Sequence, residues 1–325
     1  MKKYLFLLAI PALLLSACAP IPAPVKTPEL ERISLPVGYI PNIQFAPLYV
    51  AMENGYFAEA GLDVSIDYSF ETDAMALVGA DKLKFATVSG EQVLLARAQQ
   101  LPIVYVTAWY EDYPVGIASL KDAGINQPAD LKGKNIGVPV LSGASYIGLQ
   151  ALLSTGGLTE QDVTIEVIGF NQVEALATGQ VDAVVVYVAN EPVQLRAKGY
   201  EVNVLKVADY LHLVSNGLVT NETTLRENPG LVERMAGAFK KGVAYTAAHP
   251  AEAYEISKKY VENLAQADPA VQQAVLAESI QLWQTGRLGY TDPVGWENMH
   301  LVLQDMGLLN LPVNLNESYT NQFSQ

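Results

Sequence analysis

Short strand-like and helix-like segments alternate along most of this sequence, and this alternation limits what the chain can fold into. ISLPVGYI and LDVSIDYSF are typical of strands, whereas GEQVLLARAQQ and SGASYIGLQALLS are typical of helices, and only a few residues connect neighbouring segments. Parallel strands need a crossover connection, usually a helix, so the alternation predicts mainly parallel sheets with helices on both faces. We therefore expect an α/β protein.

The α/β pattern occurs as two similar halves, and the second half interrupts the first. The chain is predicted to leave the first lobe near residues 111–115 and to return near residues 211–217. Lobe 1 would then contain residues 32–113 plus 215–325, and lobe 2 would contain residues 114–214. Two chain crossings make a two-strand hinge, and hinged lobes can close on a ligand in the cleft between them.

Four helix-like segments after the second lobe predict a helical C-terminal tail. Each segment starts with a proline, at Pro229, Pro250, Pro269 and Pro293. Proline is favoured in the first turn of a helix, because its missing N–H would have no partner there.

Residues 1–17 are predicted to be a secretory signal peptide. Two lysines precede an apolar stretch that ends at Leu15 and is too short for a comfortable membrane span. The letters LSAC that follow resemble the bacterial lipobox, which implies cleavage before Cys18 and a lipid anchor on its sulfur. An ordinary signal peptide with an incidental cysteine is the alternative. Because Cys18 is the only cysteine, no intramolecular disulfide can form.

A proline-rich stretch and a strong negative charge characterise the chain after the signal peptide. Residues 18–31 lack apolar periodicity and are predicted to form an extended, lipidated tether. Without Lys2 and Lys3, 18 basic residues face 34 acidic ones, which gives a formal charge of −16. Nucleic acids are bound through basic surfaces, so no nucleic-acid partner is expected.

Several stretches occur in an order that resembles the solute-binding proteins of ABC transporters for thiamine precursors, riboflavin and related compounds. They are YIPNIQFAPLYVAMENGYFAEAGLDV, QPADLKGKNIGV, GQVDAVVVY and NPGLVERMAGAFKKGVAYTAAHP, and they span nearly all of residues 32–310. The first stretch is the most specific, since ADLKGK and VDA are shared with alkanesulfonate and nitrate binders.

This resemblance implies a type II periplasmic-binding-protein fold with two Rossmann-like lobes, a two-strand hinge and the helical tail. It also implies a lipoprotein at the extracytoplasmic face of the bacterial cell membrane. Its partners would be a small-molecule ligand and the permease and ATPase subunits of an importer.

The sequence lacks the patterns of a catalytic or metal site. His249 and His300 have no Cys, Asp or Glu at metal-ligand spacing, and His212 remains a weak cleft candidate. VLSGASYIG lacks the Lys-Ser/Thr end of a P-loop, and no GxSxG elbow is present. A related thiamine-pyrimidine synthase family uses a Cys-rich run that is missing here. We therefore expect a binding protein without cofactor, metal or catalytic residues, and an enzyme is a minor alternative.

Loops after the predicted strands supply the candidate ligand-binding residues, because ligands of open α/β sheets bind beyond the carboxyl ends of the strands. Aromatic faces stack on flat rings, and amide, hydroxyl and carboxyl groups bind polar edges. The candidates are Tyr39, Asn42, Gln44, Phe45, Ser89, Glu91, Trp109, Tyr110, Ser142, Gly143, Tyr146, Tyr187, Asn190 and Glu191.

The composition of these loops predicts the ligand class. They contain no Lys or Arg, which argues against a sulfonate, nitrate, phosphate or carboxylate ligand. Many aromatic side chains with polar neighbours favour a neutral planar heterocycle. The family resemblance leans towards riboflavin, with a formylaminopyrimidine as the alternative. An aromatic cage for a quaternary amine is a third possibility.

Overall fold

The structure is a computed structural model that describes residues 29–284 and 286–324. The predicted signal peptide, Cys18 and nearly all of the tether lie outside these residues. Within the described ranges the chain forms two mixed five-stranded sheets with helices packed around them. The expected two-lobed α/β fold class is confirmed.

The strands are β1 (Glu31–Val37), β2 (Leu62–Tyr68), β3 (Ala86–Val88), β4 (Ile103–Ala108), β5 (Val115–Leu120), β6 (Asn135–Val138), β7 (Thr164–Val167), β8 (Ala183–Tyr187), β9 (Val202–Lys206) and β10 (Gly217–Asn221). The helices are α1 (Ala46–Glu53), α2 (Tyr56–Glu59), α3 (Glu71–Gly79), α4 (Gly90–Ala98), α5 (Gly143–Thr155), α6 (Gln172–Ala177), α7 (Glu191–Ala197), α8 (Glu222–Glu227), α9 (Pro229–Ala248), α10 (Pro250–Ser257), α11 (Pro269–Trp283), α12 (Pro293–Asp305) and α13 (Leu315–Ser318).

The two sheets share the same strand pattern. The first has the order β2-β1-β3-β10-β4 and the second the order β7-β6-β8-β5-β9. β10 runs antiparallel to β3 and β4, and β5 runs antiparallel to β8 and β9. The sheets are therefore more mixed than the alternation suggested. The reason is that β4 leaves the first sheet at the same end at which β10 returns to it, so these neighbours run in opposite directions.

Burial on both faces explains the unbroken apolar strands. β4 and β10 are buried along their whole length, and β8 is buried from Ala183 to Val186. Strands covered on both faces are nearly continuous runs of apolar residues, as VDAVVVYV is. β1 has an exposed first half and a buried second half, which carries the chain towards the space between the sheets.

Helices of the C-terminal tail pack against the first sheet. α9, α10, α11 and α12 each begin with the predicted proline, so those helix starts are confirmed. The indole of Trp296 in α12 lies edge-on to Tyr105 of β4 and stacks on Tyr319, with ring centroids 5.2 and 5.0 Å apart. α9 lies so close to α1 that a Cβ atom at Gly242 would be 2.2 Å from the carbonyl oxygen of Pro47.

His212 joins the two chain segments that connect the sheets. Its Nδ1 lies 2.5 Å from Oδ1 of Asp112 on the outgoing segment. Its Nε2 lies 3.5 Å from Oδ2 of Asp292, at the start of α12. His212 does not line the cavity described below, so its weak candidacy for the cleft is wrong. Asp112 is hydrogen-bonded to one ring nitrogen, and Asp292 lies within ion-pair distance of the other.

Candidate ligand-binding site

A cavity of about 330 Å³ lies between the two sheets, beyond the carboxyl ends of the parallel strands. Its volume is within the range of small-molecule sites. Residues from both sheets line it, together with the first turns of several helices. Lining residues include Tyr39 after β1, Tyr68 at the end of β2, Trp109 after β4, Phe170 after β7 and Tyr187 at the end of β8.

One wall is an aromatic cluster centred on Trp109. The ring of Trp109 lies 5.8 Å from that of Phe45 and 5.8 Å from that of Tyr110. Trp283 lies behind it at 6.0 Å, and Tyr68 extends the wall beyond Phe45 at 5.9 Å. Trp109 is fixed by this packing and is 3% exposed. The cluster therefore offers a rigid apolar surface to a flat ligand.

Tyr39 crosses from the first sheet to loops of the second. Its ring lies edge-on to that of Phe170, with centroids 4.8 Å apart. Its hydroxyl is hydrogen-bonded with the Asn190 side chain, and burial raises its pKa well above the ordinary value. The backbone of Tyr39 has φ 115°, a region that a residue with a side chain rarely adopts. A strained backbone conformation at Tyr39 thus accompanies the placement of its ring across the cavity.

The first turn of α5 contributes backbone N–H groups. Ser142, Gly143 and Ser145 line the cavity, and the side chain of Ser142 makes no capping hydrogen bond. The first N–H groups of a helix have no partner within the helix. Gly143 has φ 67°, a left-handed conformation that favours glycine. This turn can therefore donate to carbonyl or hydroxyl groups of a ligand.

A polar corner forms where α7 begins. Oε2 of Glu191 accepts from the backbone N–H of Tyr187 at 2.9 Å, and Oε1 accepts from the Asn190 amide at 3.1 Å. Burial raises the pKa of Glu191 to about 7, although these hydrogen bonds act in the opposite direction. The Tyr187 hydroxyl lies 3.3 Å from Oδ1 of Asn216, which connects the corner to the start of β10.

A pair of carboxyl groups, Glu71 and Glu91, lies at the N-terminal end of α3. The Ser89 hydroxyl lies 2.7 Å from Oε2 of Glu71 and also contacts Oε1 of the fully buried Glu91. The Tyr113 hydroxyl lies 3.2 Å from Oε2 of Glu91 and 3.1 Å from the carbonyl oxygen of Ala144 in α5. Burial raises the pKa of both glutamates, and coulombic repulsion between the two carboxyl groups raises that of Glu71 further.

Most of the residues chosen from the sequence lie together in the cavity wall. They are Tyr39, Gln44, Phe45, Trp109, Tyr110, Ser142, Gly143, Tyr187, Asn190 and Glu191.

Four of the chosen residues do not line the cavity. Asn42 caps the short helical turn before α1, where its side chain accepts from the backbone N–H of Gln44 at 2.9 Å. Ser89 and Glu91 are buried behind the wall, where the Ser89 hydroxyl contacts Glu71 and Glu91, and Glu91 is hydrogen-bonded with Tyr113. Tyr146 points away and its hydroxyl donates to Glu160.

Three segments with cavity residues were missed. Tyr68 ends β2 and is followed by Phe70 and Glu71, Phe170 and Gln172 follow β7, and Asn216 precedes β10. The first two segments lie at the carboxyl end of a parallel strand, so the rule that selected the other loops would have found them. Phe70 and Phe170 are 61% and 40% exposed, and they lie at the mouth of the cavity.

The cavity contains acids but no bases. None of its described lining residues is Lys, Arg or His. Nor does any group of three or more His, Cys, Asp or Glu side chains within the described residues have the geometry of a metal site. The helices of the described part are all too short or too polar to cross a membrane. The cavity therefore suits an uncharged or partly cationic small molecule better than an anion.

Two mixed sheets with a ligand-sized cavity between them define a periplasmic-binding-protein fold. The fold of the alkanesulfonate-binding protein SsuA from Xanthomonas axonopodis pv. citri, bound to MOPS, matches with a TM-score of 0.67 and 17% identity, covering 91% of this chain and all of that one. The periplasmic aliphatic sulphonate binding protein SsuA from Escherichia coli matches with a TM-score of 0.71 and 15% identity over 90% and 92% of the two chains. The protein is a member of the NMT1/THI5-like family, whose profile matches residues 42–253.

Sequence relatives confirm the expected resemblance. The riboflavin-binding protein RibY of Chloroflexus aurantiacus is 40% identical over 310 residues, which cover 93% of this chain and 88% of RibY. The formylaminopyrimidine-binding protein of Halalkalibacterium halodurans is 27% identical and covers 99% of both chains. A 4-amino-5-hydroxymethyl-2-methylpyrimidine phosphate synthase of Legionella pneumophila is 23% identical over 90% of this chain and 92% of the synthase.

Proposed function

We propose that this protein is the extracytoplasmic solute-binding lipoprotein of an ABC importer, and that it captures riboflavin and delivers it to a permease. The observation that carries the proposal is a cavity walled by aromatic rings from both sheets, in which none of the described lining residues is basic. The isoalloxazine of riboflavin is a large, uncharged, planar ring system with polar edges. Such a ring fits stacking walls with acceptors and donors at their margins.

The proposed contacts follow from the geometry of the wall. Trp109 and Phe45 would stack on one face of the ring, and Tyr39 would cover it from the side of the second sheet. Glu191 and Asn190 would bind polar edge atoms or hydroxyl groups. The first turn of α5 would donate backbone N–H groups.

The domain boundaries predicted above belong to this proposal. Residues 32–113 plus 215–325 would move against residues 114–214 about the two crossing segments, and ligand would bridge the lobes. The protein would bind its ligand without transforming it, although synthases are among the relatives. The strong similarity to RibY over almost the whole chain supports a binding role.

A titration of the soluble chain without residues 1–18 tests the ligand. Riboflavin fluorescence should be quenched to saturation, because stacked Trp and Tyr can donate electrons to the excited ring. Trp109→Ala should weaken binding by about 0.5–1.5 kcal/mol beyond the loss from buried area. Tyr210→Ala removes an aromatic side chain that is 40% exposed and does not line the cavity, so it should bind as the unmodified protein does.

Competing ligands decide between the alternatives. Formylaminopyrimidine, thiamine, a choline-type cation and an alkanesulfonate should each bind more weakly than riboflavin. Tighter binding of the pyrimidine would preserve the aromatic cavity but refute riboflavin, in line with the second relative. Tighter binding of the choline-type cation would indicate an aromatic cage. Tighter binding of the sulfonate would contradict the conclusion from the missing basic residues.

Replacement of the proposed lipidated cysteine tests the location. Lipid contributes roughly 0.8 kcal/mol per buried CH₂, so several chains anchor a protein stably. In fractionated cells, the full-length chain should be found with membranes and Cys18→Ala should be released or remain unprocessed. A Cys18→Ala protein that is processed and still sediments with membranes would refute the anchor.

A further inference from the structure

Glu71 and Glu91 are carboxyl groups that the proposed contacts leave without a role. We propose that the pair shares a single proton at neutral pH, that Glu91 carries it, and that ionised Glu71 accepts a hydrogen bond from a hydroxyl or N–H group of the ligand. The statement about the ligand rests on the proposed function, whereas the statement about the proton does not.

The single hydrogen of the Ser89 hydroxyl requires that at least one of the two carboxyl groups is protonated. Ser89 contacts both carboxyl groups through one hydroxyl oxygen. A hydroxyl has one hydrogen, so it can donate to only one of two carboxylates, and the other carboxyl group must donate to it. Two ionised glutamates in these positions would therefore leave one close oxygen–oxygen contact without a hydrogen.

Burial assigns the proton to Glu91. Its side chain is fully buried, whereas Glu71 is only partly buried and lines the cavity. A charge costs least where it remains closest to water, so the neutral form belongs on Glu91 and the charge on Glu71. The titratable side chains that face the pair from other elements are Tyr113 and Tyr187, and both are uncharged. Among the described residues no base neutralises either glutamate.

The position of Glu71 leaves acceptor capacity for a ligand. A carboxylate has about four acceptor positions. The hydroxyl and the backbone N–H of Ser89 supply two hydrogen bonds. A Cβ atom at position 38 would lie 2.6 Å from Cγ of Glu71, so Gly38 provides the space that this orientation needs. Glu71 is thus held from behind, and its remaining acceptor positions are available on the cavity side.

Infrared spectroscopy of the ligand-free protein tests the proton. Glu191→Gln is the background for this test, because Glu191 is another buried carboxyl group whose pKa is raised, to about 7. In that background the C=O stretching band of a protonated carboxyl group should be present at neutral pH and should disappear on Glu91→Gln. Glu233→Gln, on the exposed side of α9, should retain it. A Glu191→Gln spectrum without the band at neutral pH would overturn the proposal, as would a band that Glu71→Gln alone removes. The Glu191→Gln measurement decides even if the variant that also carries Glu91→Gln does not fold.

Binding measurements test the role of Glu71. Hydrogen bonds to charged groups contribute enough that Glu71→Gln should weaken riboflavin binding about tenfold or more. Wild-type affinity should also fall on acidification, because a second proton removes the ionised acceptor. The fall should begin at a higher pH than an exposed glutamate would give, since burial raises the pKa of the pair.

Glu71→Gln should lose less affinity on acidification than wild type does, with only the titration of Glu191 remaining, and Glu233→Gln should show the wild-type loss. Equal affinity of wild type and Glu71→Gln would overturn the contact. Failure of the wild-type protein to bind riboflavin would refute the proposed function, while the infrared result would still decide where the proton lies.

Discussion

The backbone of Tyr39 is the clearest sign, at the level of single residues, that the cavity is a functional site. For a residue other than glycine, a backbone φ of 115° destabilises the folded state by about 1–3 kcal/mol. Such strain persists where the surrounding structure requires it. What requires it here is the position of the ring, which reaches Phe170 and Asn190 on the far side of the cavity. A relaxed backbone would direct the ring elsewhere.

A pair of substitutions at this position separates strain from ring contacts. Tyr39→Gly and Tyr39→Ala both remove the ring, but only glycine adopts φ 115° without strain. The glycine variant should therefore be the more stable of the two by about 1 kcal/mol in urea unfolding, the reverse of the usual order. Both should bind riboflavin more weakly than wild type. A more stable alanine variant would show that the backbone relaxes and that no strain is held there.

Glu191 should make stability depend on pH. Burial raises its pKa from 4.5 to about 7 in the folded protein. A raised pKa means that the folded state binds the proton more tightly, so this stabilisation is complete below about pH 4.5 and is lost as the pH rises through 7. Glu191→Gln cannot titrate. Between pH 4.5 and pH 8, the free energy of unfolding of Glu191→Gln should therefore rise by about 1–3 kcal/mol relative to that of wild type.

Denaturant unfolding at a series of pH values measures this difference directly. Other titrating groups, including Glu71 and Glu91, are common to both proteins and cancel in the comparison. A constant offset from altered hydrogen bonds to Tyr187 or Asn190 would not change the slope. A difference that stays constant with pH would show that Glu191 titrates as an exposed carboxyl group does.

The sequence predicted correctly which residues line the cavity where a residue's position after a strand places it there. It failed where the direction of a helical side chain determines whether the residue reaches the cavity. Tyr39, Trp109 and Glu191 follow strands directly, and the rule about carboxyl ends placed them in the cavity wall. Glu91 and Tyr146 lie in first turns of helices, where a rotation of one residue turns a side chain from the cavity to the core or the surface. The sequence does not specify that rotation.

At the level of elements, the contact between α1 and α9 depends on a glycine. Gly242→Ala would place Cβ 2.2 Å from the carbonyl oxygen of Pro47 and 3.0 Å from Cβ of Ala51. The helices must then separate, and overpacking of this kind costs about 1–3 kcal/mol. Thermal or urea unfolding should show that loss.

Gly237→Ala in the same helix is the matched control. A Cβ atom there would have no neighbour within 4 Å, so alanine should stabilise α9 by about 0.5–1 kcal/mol through its helix propensity. Equal effects of the two substitutions would show that the close approach of α1 and α9 does not matter for stability.

The positions of helices and strands were predicted more completely than the directions in which the strands run within the sheets. Prolines marked the starts of α9 to α12, and apolar runs marked β4 and β8, because these signals are local. The antiparallel direction of β10 has no local signal. It depends on where the chain returns after an excursion of about a hundred residues, and only the assembled lobes determine that.

For the whole molecule, the contacts across the cavity predict closure on ligand. Tyr39 meets Phe170, and Tyr187 meets Asn216, so both sheets contribute to one enclosure. A ligand that contacts both sides favours the closed arrangement through its additional contacts there. Small-angle scattering should show a smaller radius of gyration with saturating riboflavin than without it, and Trp109→Ala should need more ligand for the same change. An unchanged radius with tight binding would indicate a site formed in advance.

The central position of β10 also determines when the chain can finish folding. Among the described strands, β4 is joined to the rest of its sheet only through β10, whose residues are made after every strand of the second sheet. During synthesis, β5 to β9 can therefore pair as soon as they emerge, while the sheet begun by β1 stays incomplete until residue 221 is free. If the chain is exported as we propose, this delay is useful. A translocation channel then receives an N-terminal segment that has no finished sheet to unravel, and only the second sheet would have to unfold before it follows. The sheet completed last is the one nearest in sequence to the proposed membrane anchor.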